Sequence, residues 1–262
     1  MKNNVIIAVL SLIAILAGTY LLLSSKEPVA SVMEEEVIPE ESEVVIEPIS
    51  HASFVFTLAG IRMFNDPVGE VSAYTDKGTP DIILLSDIHG DHLNTETLEA
   101  LITAETKIIA PQAVFDELTP ALQAKTIVMA NGETLIESGI NFEAIPMYNL
   151  PEAEDSRHAK GRGNGYVLEA SETRMYIAGD TSDIPEMRAL TNIDIALVPM
   201  NLPYTMTVEA AADAVLEFKP RQVYPYHYRG MEGLSDVEKF KSLVTAGDSS
   251  IEVVLAAWYP QP

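Results

Sequence analysis

From residue 53 onward, short apolar runs recur along the chain, punctuated by glycine, proline and acidic turns. Brief runs rich in β-branched and aromatic residues read as strands, whereas helices show longer stretches with a 3.6-residue period. Residues 53–58 and 61–64 predict a hairpin about Ala59-Gly60, and residues 82–85 a buried strand. A helix is expected over 95–104 and a strand over 107–110. Pro111 then opens a helix to Leu118, since proline is tolerated in a first helical turn. Residues 126–130 and 133–136 flank Asn131-Gly132, a two-residue turn signal that predicts a second hairpin. Further strands are expected at 140–146, 165–170, 174–178, 193–198, 222–226 and 251–256. Thr207 caps a helix running to Phe218, with Glu209 in its first turn, and another helix is expected near 236–244. Strands followed by helices, twice over, predict an α/β domain with two sheets inside and helices outside.

The N-terminal pattern differs. Residues 5–23 are apolar and uncharged behind Lys2, long enough to span a bilayer as a helix. Residues 1–25 are therefore expected to be a transmembrane anchor with the rest exported to the periplasm or cell surface; a cleaved signal is the alternative. Eight acids between Glu27 and Glu47, with Pro28, Pro39 and Pro48, predict a self-repelling disordered linker over 26–50. Residues 51–262 remain for one domain with a large core.

Charge narrows the partners. The first fifty residues hold two lysines and eight acids, so −6 of the net −23 falls there and −17 on the domain. Such a domain repels phosphate backbones, which argues against a nucleic-acid partner and leaves a small molecule or a lipid as the substrate. With no cysteine, a metal site must use imidazole and carboxylate.

All five histidines fall in motifs that look like parts of a site: His51, His89, His92, His158 and His227. The densest motif is Ser86-Asp87-Ile88-His89-Gly90-Asp91-His92, directly after an apolar strand. No regular element aims Asp87, His89, Asp91 and His92 at one point. A tight loop does, and Gly90 gives it backbone freedom. Crowding two carboxylates and two imidazoles costs repulsion and desolvation unless a cation offsets it. His158, Asp180 and His227 complete the candidate ligand set. Asp180, in a Gly-Asp-Thr turn after an apolar strand, is the natural bridging carboxylate between two ions.

These motifs resemble the metallo-β-lactamase-fold hydrolases. The likeness is to the branch containing L-ascorbate-6-phosphate lactonase and, more distantly, to N-acyl-phosphatidylethanolamine phospholipase D. The family's His-x-His-x-Asp-His signature appears as Asp87-Ile88-His89-Gly90-Asp91-His92. His51-Ala52-Ser53, Asp66-Pro67, His158 to Tyr166, Tyr176 to Thr181, Pro203 to Thr207 and Pro225 to Tyr228 match other family stretches. The resemblance implies a four-layer αββα sandwich and a binuclear centre: Asp87, His89 and His158 on one divalent ion, Asp91, His92 and His227 on the other, Asp180 bridging. Zinc is the expected ion, with manganese or iron as alternatives, because Asp87 replaces the family's histidine with a harder oxygen donor.

The implied chemistry is attack by a metal-bridging hydroxide on an ester, lactone or phosphoester, with Asp91 as the catalytic residue that orients the nucleophile. Phospholipase D-like hydrolysis of membrane lipids and a non-catalytic metal-binding module are the alternatives. His51 is expected at the edge of the site, behind the ligands. Tyr204, Tyr228 and Arg229 are candidates for the pocket wall, with plain packing as the alternative for the tyrosines.

Overall fold

In the computed structural model, which describes residues 44–259, side-chain alternation along the strands sets the order of the layers. One sheet runs β1 (Glu47–Ser50), β2 (Ser53–Leu58), β3 (Ile61–Asn65), β4 (Ile82–Leu84), β5 (Lys107–Ala110), β6 (Thr126–Val128), in that spatial order. Successive strand residues face opposite sides. Phe54, Phe56, Leu58, Ile82 and Leu84 thus enter the central core, while Val55, Ile83 and Ile108 face outward. That outer side packs against Leu98 of α1 (Thr95–Leu101), Val114 of α2 (Gln112–Glu117) and Leu122 of α3 (Pro120–Gln123).

The second sheet contains β7 (Thr134–Glu137), β8 (Ile140–Met147), β9 (Gly163–Ala170), β10 (Thr173–Ile177), β11 (Ile195–Pro199), β12 (Gln222–Tyr226) and β15 (Glu252–Val253). Its spatial order is β15-β12-β11-β10-β9-β8-β7. Phe142, Leu168, Met175 and Ile177 share the central core with the first sheet. Short α4 (Pro185–Arg188) follows β10, and α5 (Val208–Phe218) and α6 (Val237–Gly247) complete the helices of this half. Phe218 of α5 meets Tyr176 of β10 edge to face at 6.1 Å, which puts that helix on a face of the second sheet. Helix, sheet, sheet, helix is the αββα sandwich that the resemblance implied. A two-stranded ribbon, β13 (Arg229–Gly230) with β14 (Gly233–Leu234), stands beside it.

Each sheet contains a run of parallel strands: β3 to β6 in the first, β10, β11, β12 and β15 in the second. Parallel strands share a direction, so their carboxyl ends share an edge, where α/β folds place their ligand loops. Asp66, Asp87, Asp180, Asn201 and His227 all lie just past such ends.

Several sequence expectations are corrected. Residues 126–130 and 133–136 form no hairpin, because β6 pairs parallel with β5 while β7 pairs with β8. Asn131-Gly132 does turn the chain, with Glu133 N donating to Ala130 O, but the turn carries it from one sheet to the other. Asn131 Nδ2 ties that crossover to the second sheet through Gly163 O and Asn164 Oδ1. The helix expected over 95–104 stops at Leu101, where Ile102 turns extended.

The linker expected over 26–50 overlaps the fold: β1 pairs with β2, and Val44 already belongs to the core. Local acidity hid a strand that only its partner stabilises. The expected anchor over 1–25 lies outside the described residues. Among the described residues no helix is long and apolar enough to cross a membrane.

Candidate metal centre

The loop after β4 folds back on itself, with His92 N and Leu93 N both donating to His89 O. Asn94 then caps α1 by accepting from Thr97 N at 2.9 Å. This turn brings Asp87, His89, Asp91 and His92 to the edge where β10 delivers Asp180 and β12 delivers His227. His158 arrives from the connection between β8 and β9.

The seven residues gather as two triads, Asp87-His89-His158 and Asp91-His92-His227. Within each triad the donor atoms lie within 4.8 Å of one another. Asp180 stands between them. Its Oδ2 is 3.4 Å from His158 Nε2 and 3.5 Å from His92 Nε2, and its Oδ1 is 3.4 Å from His227 Nε2. His227 Nε2 also lies 3.3 Å from Asp91 Oδ2.

Around these residues is a second set that fixes the rings. Asp66, fully buried, accepts from Ser86 N at 2.7 Å, Ser86 Oγ at 2.6 Å and His92 Nδ1 at 2.9 Å. His158 Nδ1 donates to Tyr204 O at 3.1 Å, and Asn149 clamps the same segment by accepting from His158 N and donating to Tyr204 O. His227 Nδ1 lies 3.3 Å from the Asn201 amide. Either orientation of that amide is satisfied, since Thr205 Oγ1 on its far side both donates and accepts. Three histidines therefore have Nδ1 committed outward and Nε2 aimed inward, an arrangement typical of metal-ligating imidazoles. Asp66 and His227 also hold positive φ, 42° and 44°, backbone strain of the kind that clusters at functional sites.

The donor set fits a cation. Asp87 Oδ2, His89 Nδ1, His158 Nε2 and Asp180 Oδ1 are buried without a hydrogen-bond partner. They are four of nine such side-chain atoms among the described residues, so uncompensated desolvation is concentrated here. Electrostatics agree. Burial would raise the pKa of Asp180, but His227, His92 and His158 outweigh it and hold the carboxyl far below the usual range. Burial likewise opposes ionisation of Asp87, yet His89, His92 and Arg162 bring it down to about 2. Asp91 is depressed against its own burial by His227 and His92. His92 is raised well above the ordinary histidine value, because Asp180 and Asp66 overcome the effect of burial. Burial lowers His158.

His51 joins neither triad. Its Nδ1 lies 3.1 Å from Tyr259 Oη, and its ring meets that of His227 edge to face at 5.3 Å. Arg229 lies over Tyr259 at 4.2 Å, Tyr228 is buried against the same ring, and Arg157 covers Tyr204 at 4.5 Å. Ligand spacing said nothing of the supports Asp66, Asn149, Arg162 and Asn201. Only the Asp66-Pro67 pair and the stretches about Arg162 and Tyr204 had marked their neighbourhoods.

With this geometry in view, the comparisons decide the family. Residues 46–227 match the model of the beta-lactamase superfamily domain. The chain belongs to the metallo-β-lactamase superfamily. A metal-dependent hydrolase from Thermococcus onnurineus is 31% identical over 219 residues, covering 79% of this chain and 94% of that protein. A crystal structure from Parabacteroides distasonis, assigned as a metal-dependent hydrolase, is 37% identical with a TM-score of 0.73, covering 82% of this chain and 94% of that one. A metallo hydrolase from the archaeon Ignicoccus hospitalis superposes with a TM-score of 0.68 at 21% identity, over 81% of this chain and 94% of its own, a likeness of fold alone. This member of the superfamily is a metal-dependent hydrolase, so the reading as a non-catalytic module is set aside.

Proposed function

We propose that the chain hydrolyses an anionic ester, lactone or phosphoester with two divalent ions, zinc first among them, held by Asp87, His89 and His158 and by Asp91, His92 and His227. Asp180 is the shared ligand. The observation that carries this reading is the pair of ligand triads flanking Asp180, with buried, partnerless atoms on Asp87, His89, His158 and Asp180 itself. When bound, such ions supply a water nucleophile that is ionised near neutral pH and offset charge developing on the substrate oxygen.

The protein's own part follows from its residues. Asp66, Tyr204 O and Asn201 hold three imidazoles in the orientation that turns Nε2 inward. Asp91 is the most open of the seven, its side chain 39% exposed, which suits a group that meets both water and substrate. Its depressed pKa leaves it ionised, so it can orient the attacking water, accept the proton that water releases and hand that proton to the leaving group. Arg157 directly precedes His158 and Arg229 opens β13 two residues after His227, and in so acidic a domain these cations favour a negatively charged substrate. A phosphorylated lactone like that of the lactonase branch fits this description, and the uncharged run over 5–23 is the basis for an extracytoplasmic location.

One observation favours a second substrate reading. Leu150 and Leu202, next to the bracing Asn149 and Asn201, and Met231 and Leu234 of the β13–β14 ribbon that follows His227 are exposed apolar residues, which supports a lipid ester. Metal analysis of the full chain, joined to a hydrolysis screen of lactones, phosphodiesters, esters and phospholipid vesicles, tests both. Turnover of none of these anionic esters by the metal-loaded chain would sink the proposal.

A further inference from the structure

The first triad departs from the family at Asp87, and the structure places a cation beside that departure. Arg162 Nη2 donates to Asp87 Oδ1 at 3.2 Å. Oδ2, on the other arm of the carboxylate, has no hydrogen-bond partner; it adjoins His89 Nδ1 and lies 3.7 Å from His158 Nε2. Among the described residues no lysine and no other arginine reaches ion-pair distance of Asp87.

The chain is built to hold Arg162 there. Its guanidinium also donates to Arg157 O, and Asn164 N donates to Ser86 O at 3.0 Å, fastening the segment to the end of β4. Gly163 permits this approach, since a Cβ at that position would come 2.8 Å from Ser86 O. The Arg162 side chain is 23% exposed, so water and salt screen the pair only partly. Its Nε is buried without a partner, a cost tolerated for the contact with Asp87.

A carboxylate in place of an imidazole adds one negative charge to a cluster that already contains Asp66, Asp91 and Asp180. It also gains a freedom that the ring lacks, because either oxygen can face the ion. We infer that Arg162 is the positioning residue of the first metal site: it neutralises the extra charge of Asp87 and selects Oδ2 as the donor, so that the Asp87–Arg162 pair acts in place of a neutral histidine. The inference rests on the two-ion reading above and names a residue that the ligand signature does not contain. Partners of ligating carboxylates act in this way, by orienting the donor and tuning its basicity.

The test is a double-mutant cycle on the full, metal-stripped chain, with Zn²⁺ affinity measured by chelator competition and fold by thermal unfolding of the stripped protein. Arg162→Gln should weaken one of the two ions by about 10–100-fold, the usual effect of losing a ligand's outer partner, and leave the other nearly unchanged. Arg162→Lys should fall between, because lysine restores the charge but not the planar fork. Asp87→His alone should also weaken that ion, since Arg162 is then left as an unpaired cation beside it. Asp87→His with Arg162→Gln should recover affinity over both single variants.

Strong non-additivity of that sign supports the pair, and Arg162→Met serves in the cycle if the glutamine variant does not fold. Two ions bound in the wild type with affinities indifferent to Arg162, or single effects that simply add, would overturn it. A wild type holding one ion whose affinity still falls in Arg162→Gln supports the pair and removes only the two-ion reading. A wild type holding no ion overturns both.

Discussion

His92 and His227 present their Nε2 atoms to each other at 3.2 Å although 135 residues separate them in the chain. Their Nδ1 atoms are engaged outward, by Asp66 and by the Asn201 amide, and Asp180 closes the gap with oxygens 3.5 and 3.4 Å away. Ring nitrogens and carboxylate oxygens brought this close form a cup of lone pairs that a cation satisfies better than any single proton.

Asp180 adjoins histidines of both triads, so its removal should affect both ions. The wild type is expected to retain about two divalent ions per chain after gel filtration, Asp180→Ala to lose occupancy at both sites, and His227→Ala mainly at one. Elemental analysis checks this. Full metal content in Asp180→Ala would make Asp180 a turn residue only.

Asp66 touches no ion in this assignment, yet it holds the His92 ring and the Ser86 backbone. Asp66→Ala leaves those buried donors unpaired, at a cost of about 1–3 kcal/mol. A fall in Tm of several degrees, with weaker binding at the Asp91-His92-His227 site, is expected from thermal unfolding and metal titration. An unchanged Tm would show the Asp66 hub to be idle.

The pH response should reverse on metal loading. His92 is raised in the folded state, so its stabilisation of stripped protein is complete below the unfolded value of 6.5 and is lost as pH rises through the folded one. Asp87 is depressed, so its contribution is present above the unfolded value of 3.8 and is lost as pH falls through about 2. Stripped protein should therefore lose Tm above neutrality. Loaded protein should gain it there, because ligands bind metal in their deprotonated forms. Thermal unfolding with and without metal across this range decides, and a stripped protein that grows more stable above pH 6.5 would contradict the assignment for His92.

The fold begins earlier than its acidic leader suggests. A chain starting at residue 44 keeps β1 on β2 and should unfold cooperatively, whereas one starting at 51 exposes the β2 edge and should lose Tm or aggregate. The full chain, with residues 5–23, is expected to fractionate with membranes. Intact full-length protein in the soluble fraction would refute the anchor.

Much of this protein was legible from local chemistry. The strands 53–58, 82–84 and 222–226 and the helix capped by Thr207 follow from side-chain period and cap residues, which act over a few positions. Asp87, His89, Asp91 and His92 stood out because four ligand-type residues in six positions are costly without a cation. His158, Asp180 and His227 were legible as strand-end and loop residues, but their convergence was implied by resemblance rather than by spacing.

The rest depended on partners far apart in the chain. Asn131-Gly132 makes the same local turn in a hairpin as in a crossover, and only the pairing of β6 with β5 and of β7 with β8 separates the two. Glu47–Ser50 looks like linker until β2 supplies its hydrogen bonds. Asp66 reaches His92 across 26 positions, and Arg162 reaches Asp87 across 75. The sequence alone determined which side chains carry metal-binding chemistry and which stretches have strand or helix period, because both are properties of neighbouring residues. Tertiary structure alone decided which strands pair, which nitrogen of each ring points inward and which cation balances Asp87, because those depend on distances between segments that no local pattern encodes.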